Sequence, residues 1–231
     1  ILEAVEGLLA DGFTPENDVY LSFGHDEETS GSGARAIVAA LQERHVRPAI
    51  VVDEGGAVIE KVFPGVHKPI AVVGVSEKGI TTVRLAVEQQ GGHASTPPKM
   101  TATVRLARAI TRLNAHPFPA RLTETNLRMV ETLGAHATGP LRFVFTRARR
   151  LQPLLRAVFA RLGDETRAIV RTTTAVTQLR GSLAANALPE TAEAIVNVRI
   201  AVGSSVAETL EHVRNAVHDP HVRIEAVDGN E

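Results

Sequence analysis

Apolar residues at Ile1, Val5, Leu8 and Leu9 follow helical spacing, so the chain is predicted to open inside a helix over residues 1–10, with no capping residue ahead of it. A strand is predicted over 19–23. Ala34, Ile37, Val38 and Leu41 repeat at i, i+3, i+4, i+7 and predict a second helix over about 34–44. The following strand, 49–53, is apolar throughout Ala49-Ile50-Val51-Val52, the pattern of a strand covered on both faces. Helix and strand alternating in this way predict a portion of an α/β domain built on a mostly parallel sheet.

From Gly79 the period changes. Val83, Leu85 and Val87 alternate with Thr82, Arg84 and Glu88, as in a sheet with one wet face, so a second domain is expected to begin here. After Pro97-Pro98 a helix carries Leu106, Ala109, Ile110 and Leu113 on one face and Arg105, Arg108 and Arg112 on the other. Alternating strands are predicted over 169–176 and 192–200. Ser205-Val206-Ala207-Glu208 then reads as a capping box opening a helix with Val206, Leu210, Val213 and Val217, before a last strand at Val222, Ile224 and Ala226. The order β-α-β-β-α-β is the ferredoxin-like α+β plan. Residues 117–167, with an Arg147-Ala148-Arg149-Arg150 stretch and an amphipathic run over 154–162, do not belong to that plan and are read as an insertion. The expected division is therefore 1–78 and 79–231.

Composition narrows the chemistry. At 231 residues, 44% apolar and 22% charged, the chain has room for one good core or two modest ones. A net charge of −1 gives no general attraction to nucleic acid or anionic membrane, and no apolar run approaches the roughly 20 residues of a membrane-spanning helix. Neither nucleic acid nor membrane is expected as a partner. With no cysteine, only His, Asp and Glu remain as metal donors, and the compartment is left open.

The densest chemistry lies in His25-Asp26-Glu27-Glu28, at the end of the 19–23 strand and ahead of Thr-Ser-Gly-Ser-Gly. Of two neighbouring acids, one can hold a divalent cation while the other takes a proton from metal-bound water. Acids ahead of a helix also serve simply to complement its dipole. A second acid weighs for the metal: Asp53 closes the next buried strand, and strand ends in open α/β sheets face the ligand crevice. Carboxylates converging there repel by about 3 kcal/mol at ~5 Å and an effective dielectric near 20, which a cation relieves. A competing pattern, Gly31-x-Gly33-x-x-Ala36 followed by Asp53, matches a dinucleotide fingerprint, but Asp26, Glu27 and Glu28 would repel a pyrophosphate. Three further residues each have an ordinary structural reading: His93 on the turn Gly91-Gly92-His93-Ala94-Ser95, Asn186 in Asn186-Ala187-Leu188-Pro189, and Arg199 on the polar side of its strand.

Taken together, Gly24-His25-Asp26-Glu27-Glu28, Val52-Asp53-Glu54-Gly55-Gly56, Gly91-Gly92-His93-Ala94-Ser95, Asn186-x-x-Pro189 and Asn197-x-Arg199 resemble, in order and spacing, the two-zinc aminoacylase and carboxypeptidase family. Ser76-Glu77-Lys78-Gly79 and Arg171-Thr172-Thr173-Thr174 resemble its carboxypeptidase S branch, with the Gly-X carboxypeptidases and N-fatty-acyl-amino-acid hydrolases. The resemblance implies a zinc-binding α/β catalytic domain carrying an α+β lid that also forms a homodimer. It implies Glu27 as general base, Glu28 and Asp53 as metal ligands, His93 as oxyanion stabiliser from the partner's lid, and Asn186 and Arg199 as substrate holders, Arg199 at the carboxylate. The cofactor implied is Zn2+, two per subunit in the complete protein, with Co2+ or Mn2+ as alternatives. The substrate implied is a small peptide or N-acyl amino acid with a free carboxylate. The family's other ligands, a His-x-Asp pair, a bridging Asp and a final His, have no counterpart in these 231 residues. The chain is thus expected to be an internal segment that binds zinc weakly and is inactive alone. The alternative is a non-catalytic dimerisation or binding module of the same fold.

Overall fold

The computed structural model describes residues 1–26, 31–60, 62–63 and 65–230. It divides into two compact units, Ile1–Glu54 and Gly55–Glu231. The smaller unit holds helices α1 (Leu2–Ala10) and α2 (Ser32–Glu43). None of its described residues is buried. The strands predicted over 19–23 and 49–53 do not form: neither stretch enters a ladder, and Ile50, Val51 and Val52 are about four-fifths exposed, at 79%, 79% and 83%. A strand exists only through the neighbour that takes up its N–H and C=O groups. No described residue supplies these two with one, and no parallel pairing occurs among the described residues. The predicted parallel sheet is corrected accordingly.

The larger unit begins with an antiparallel pair, β1 (Ala57–Ile59) and β2 (Ile70–Val72), that sequence patterning did not anticipate. It continues through β3 (Gly79–Glu88), β4 (Gly92–His93) and α3 (Ala102–Ala115) to four helices, α4 (Glu124–His136), α5 (Gly139–Phe145), α6 (Gln152–Leu162) and α7 (Asp164–Ile169). The chain then forms β5 (Thr173–Arg180), β6 (Ala187–Leu188), β7 (Thr191–Ile200), α8 (Val206–Val217) and β8 (Arg223–Asn230). No helix among the described residues is long and apolar enough to cross a membrane.

Strands β8, β3, β7 and β5 lie side by side in that order, every pair antiparallel. Numbered along the chain this is 4-1-3-2, the arrangement of the ferredoxin-like plan. The period-2 pattern dictates which face is covered. Val83, Leu85 and Val87 of β3 and Ala192, Ala194, Val196, Val198 and Ile200 of β7 point to one side, against Leu106, Ala109 and Leu113 of α3 and Val213 and Val217 of α8. Both helices begin on side-chain caps: Thr101 accepts from Val104 N, and Ser205 and Glu208 form the predicted capping box. The predicted strand at 169–176 shifts to Thr173–Arg180 because Ile169 still belongs to α7 and Val170 is buried among helices instead. β-Branched residues alternate there as in a strand, but burial against α4 and α6 overrides that propensity.

The segment predicted as an insertion builds a second core. Leu127, Val130, Leu133, Phe145, Leu155, Phe159 and Val170 enclose Val66, and Thr138 N donates to Gly65 O at 2.9 Å. The Arg-rich stretch is structural at its centre: Ala148 is fully buried, Arg149 pairs with Glu124 and Glu131, and Arg147 lies 4.0 Å over the Phe143 ring. On the open face of the sheet Arg84 is held between Glu193 and Glu225.

Candidate functional site

The first cluster lies in the smaller unit. Gly31, at φ 64°, turns the chain into α2, and the two carboxylate oxygens of Asp26 accept from Ser32 N and Gly33 N, each at 2.9 Å. A carboxylate on the first amides of a helix satisfies donors that have no partner inside it and meets the positive end of its dipole. A Cβ at position 33 would stand 2.9 Å from Asp26 Oδ1, so a larger residue there would push the carboxylate off the helix amides. The Gly31-x-Gly33 pattern therefore serves the Asp26 clamp, and the place a pyrophosphate would occupy in a dinucleotide fold is already taken by a carboxylate. The N-cap position of α2 is Gly31, so the local capping rule does not single out Asp26, whose carboxylate reaches the first amides of the helix from five residues before the cap.

Glu27 and Glu28 lie outside the described residues. Asp53 is exposed, and its Oδ1 accepts from the next residue's amide, Glu54 N, at 2.9 Å. Among the described residues no group of three or more His, Asp or Glu side chains converges as a metal site. A carboxylate is the right kind of donor for zinc, manganese or cobalt, but the described residues fall short of the three protein ligands a catalytic zinc takes.

The second cluster lies in the larger unit, where two loops distant in sequence are joined. Strand β4 pairs with β6, Gly92 opposite Leu188 and His93 opposite Ala187. Ala94 N donates to Asn186 O at 3.0 Å, and Gln89 N to Glu190 O at 2.9 Å. The fit is tight at Gly91, where a Cβ would meet Glu190 Cγ at 2.9 Å and Leu188 O at 3.3 Å. His93 and Asn186 are thereby brought together, both exposed, on a ribbon that prolongs β3 and β7 beyond the sheet.

Arg199 is not with them. It sits opposite Ile80 of β3 and Thr173 of β5, at the other end of the same ribbon, exposed on the face away from α3 and α8. Eight residues of strand separate it from Thr191, or ~26 Å at the usual rise, and His93 and Asn186 lie beyond Thr191. Two cations that sequence reasoning quoted as motif letters without a role precede β3 and β5. Lys78 Nζ donates to Arg171 O at 2.6 Å. Burial first, and the Arg199 charge second, hold the Lys78 ammonium below its ordinary pKa. Arg171 is likewise lowered, by burial and then by Arg167, and its buried Nε has no hydrogen-bond partner among the described residues.

An antiparallel 4-1-3-2 sheet under two helices, with a joined His93–Asn186 loop pair at one end and Arg199 at the other, defines a two-layer α+β domain of the ferredoxin-like type. Residues 75–225 match the peptidase dimerisation domain, and the chain belongs to that M20 family. It is 38% identical over 224 residues to the human N-fatty-acyl-amino acid synthase/hydrolase PM20D1, covering 96% of this chain and 44% of that protein. It is 36% identical over 230 residues to the probable carboxypeptidase S-like 2 of Dictyostelium discoideum, covering 98% and 44%. Against carboxypeptidase S of Saccharomyces cerevisiae it is 34% identical over 224 residues, covering 90% and 38%. The chain thus spans less than half the length of these curated relatives.

Proposed function

We propose that these residues belong to a metal-dependent hydrolase that cleaves the amide bond of N-acyl amino acids or small peptides with a free carboxylate, working as a homodimer through residues 79–231. In this reading residues 1–78 are part of the catalytic domain. Glu28 and Asp53 hold a divalent cation, zinc by preference, with further ligands from outside these 231 residues. The cation supplies Lewis-acid activation of water and of the amide carbonyl. Glu27 takes the proton from that water, His93 donates a hydrogen bond to the carbonyl oxygen as it becomes negative, and Arg199 holds the substrate carboxylate as a bidentate fork. Asn186, fixed beside His93 by the β4–β6 ladder, orients the substrate from the same side.

The observation that carries the dimer is the separation of His93 and Asn186 from Arg199. Only one carbon lies between the amide nitrogen and the carboxylate of an N-acyl amino acid, so one small substrate cannot reach both ends of one ribbon. Two lids exchanged between protomers resolve the difficulty: each active site takes Arg199 from one subunit and His93 with Asn186 from its partner. The names of the relatives support an amide hydrolase, and the matched domain supports assembly as a dimer. The deciding experiment is Glu27→Ala in the full-length protein. Hydrolysis of N-acyl amino acids should be abolished with metal content unchanged, whereas retained turnover would remove Glu27 from its role. Assayed alone, the 231-residue chain should bind zinc weakly and turn over nothing.

A further inference from the structure

The helical insertion carries an outward stripe that the ferredoxin-like half does not use. Between α5 and α6 the chain keeps winding: Thr146 N donates to Arg142 O, Leu151 N to Arg147 O and Leu155 N to Leu151 O, each at 3.0 Å. Buried and exposed residues therefore alternate at one helical period through both helices. The inner positions, Phe145, Ala148, Leu155 and Phe159, fill the second core. The outer positions, Phe143, Arg147, Arg150, Leu154, Val158 and Arg161, follow one another at intervals of four, three, four, four and three residues, and all are exposed. Phe143 is 58% exposed, Leu154 50% and Val158 41%, so apolar surface stands on the outside of helices whose inner face is already packed.

Charge decides what such a stripe can meet. The overall net charge of −1 conceals a local excess, because residues 132–163 hold six arginines and no Asp or Glu. Of the six, Arg149 is paired, with Glu124 and Glu131. Among the described residues Arg142, Arg147, Arg150, Arg156 and Arg161 have no carboxylate partner. A two-fold contact with a second copy would lay these arginines against themselves. A nucleic acid would take up the guanidinium groups through its phosphates and leave Phe143, Leu154 and Val158 without an apolar neighbour. An anionic lipid surface suits both kinds of side chain: the arginines stay at the headgroups while the apolar groups enter the boundary with the acyl chains. Arg147, 4.0 Å over the Phe143 ring, already shows a cation carried on the apolar residue beside it. We propose that the outer stripe of α5 and α6 is a peripheral docking surface for membranes rich in anionic lipid. It goes beyond the hydrolase reading and does not depend on it, since neither His93, Arg199 nor any acid of the smaller unit belongs to the stripe.

The test is co-sedimentation of the full-length protein with vesicles of phosphatidylcholine alone and of phosphatidylcholine mixed with phosphatidylglycerol. Binding to the mixed vesicles should be about tenfold tighter or more at low salt, and should weaken as salt is added. Arg150→Gln combined with Arg161→Gln should weaken it about thirtyfold, at the usual worth of an arginine near an anionic lipid surface. Leu154→Ser should weaken it about tenfold at low and high salt alike, because that loss is apolar. Arg108→Gln, at an exposed arginine of α3 with no ion pair among the described residues, should leave binding unchanged. All four substituted side chains are exposed, so the fold is not at stake in the comparison. Equal binding to the two kinds of vesicle, no binding to either, or an equal loss on Arg108→Gln would overturn the proposal. So would retention on duplex DNA in place of vesicles, or a change in dimer dissociation on Leu154→Ser without vesicle binding, which would give the stripe to nucleic acid or to a second copy.

Discussion

Subunit exchange between His93 and Arg199 makes a quantitative demand on mixed dimers. Take the full-length protein with His93→Ala in one subunit and Arg199→Ala in the other. The rung joining Ile80 to Arg199 and the rung joining Glu88 to Thr191 are eight residues apart, ~26 Å along the ribbon, and the His93–Asn186 pair lies outside the second rung. Under the proposed exchange each active site draws on two different lids. In a mixed dimer one site receives both mutated side chains and the other receives neither. Either homodimer loses the same function twice, and removal of one oxyanion donor commonly costs about 10²–10³ in turnover. With different affinity tags on the two subunits and purification through both, the mixed dimer should regain about half of wild-type activity per dimer over a background near 1%. Initial rates on an N-acyl amino acid, at saturating metal, are sufficient to read it. Activity no higher than that of the two homodimers would refute the argument, since it would mean that His93 and Arg199 serve the same site in one protomer.

Leu85 is fully buried at the centre of the sheet, and Leu85→Ala should cost about 2–5 kcal/mol in urea unfolding of the 231-residue chain; a loss under ~1 kcal/mol would mean that the helices do not cover this face as described. At Gly134 a Cβ would meet Thr146 N at 2.7 Å and the Phe145 carbonyl carbon at 2.8 Å, both backbone, so α5 would have to move. Gly134→Ala gains about 1 kcal/mol in helix propensity but should lose more, of order 1–3 kcal/mol, to overpacking, and hydrogen exchange should quicken in α4 and α5 while β3 and β7 keep their protection. An unchanged exchange pattern would contradict the close approach. Glu124 accepts from Arg149 at 2.8 Å and from Arg128 at 3.0 Å, and these bonds, Arg149's first, bring its carboxyl down to about 2. A carboxyl lowered in the folded state stabilises it above the unfolded value of 4.5 and ceases to as pH falls toward 2. The Tm deficit of Glu124→Gln should thus be small at neutral pH, because the pair is exposed, and should fade between pH 4.5 and 2; a deficit that persists at the acid end would point to packing instead.

What the sequence disclosed and what it did not follow from the range of the interactions involved. The ferredoxin-like half was legible because its signals are local. Val83, Leu85 and Val87 repeat at the period of a pleated strand, and Ser205 and Glu208 cap a helix three residues apart. The same rules failed at 49–53, where an apolar run is a strand only if another strand adjoins it, and at Val170, where burial among α4, α6 and Val66 outweighs β-branched propensity. The β1–β2 pair was invisible because three-residue strands carry too little periodicity to register. The candidate site divides along the same line. His93 and Asn186 could be singled out by their turn residues, but their adjacency is made by a ladder between loops 93 residues apart. The arginines make the point most sharply. Arg84 and Arg199 look alike in sequence, each polar and alternating with buried apolar neighbours. What distinguishes them is Glu193 and Glu225, 109 and 141 residues away from Arg84, which turn one guanidinium into a structural cross-link, while the absence of such carboxylates around Arg199 among the described residues leaves the other able to take an anion. Spacing along a chain cannot deliver that distinction, because it depends on which strand the fold brings alongside.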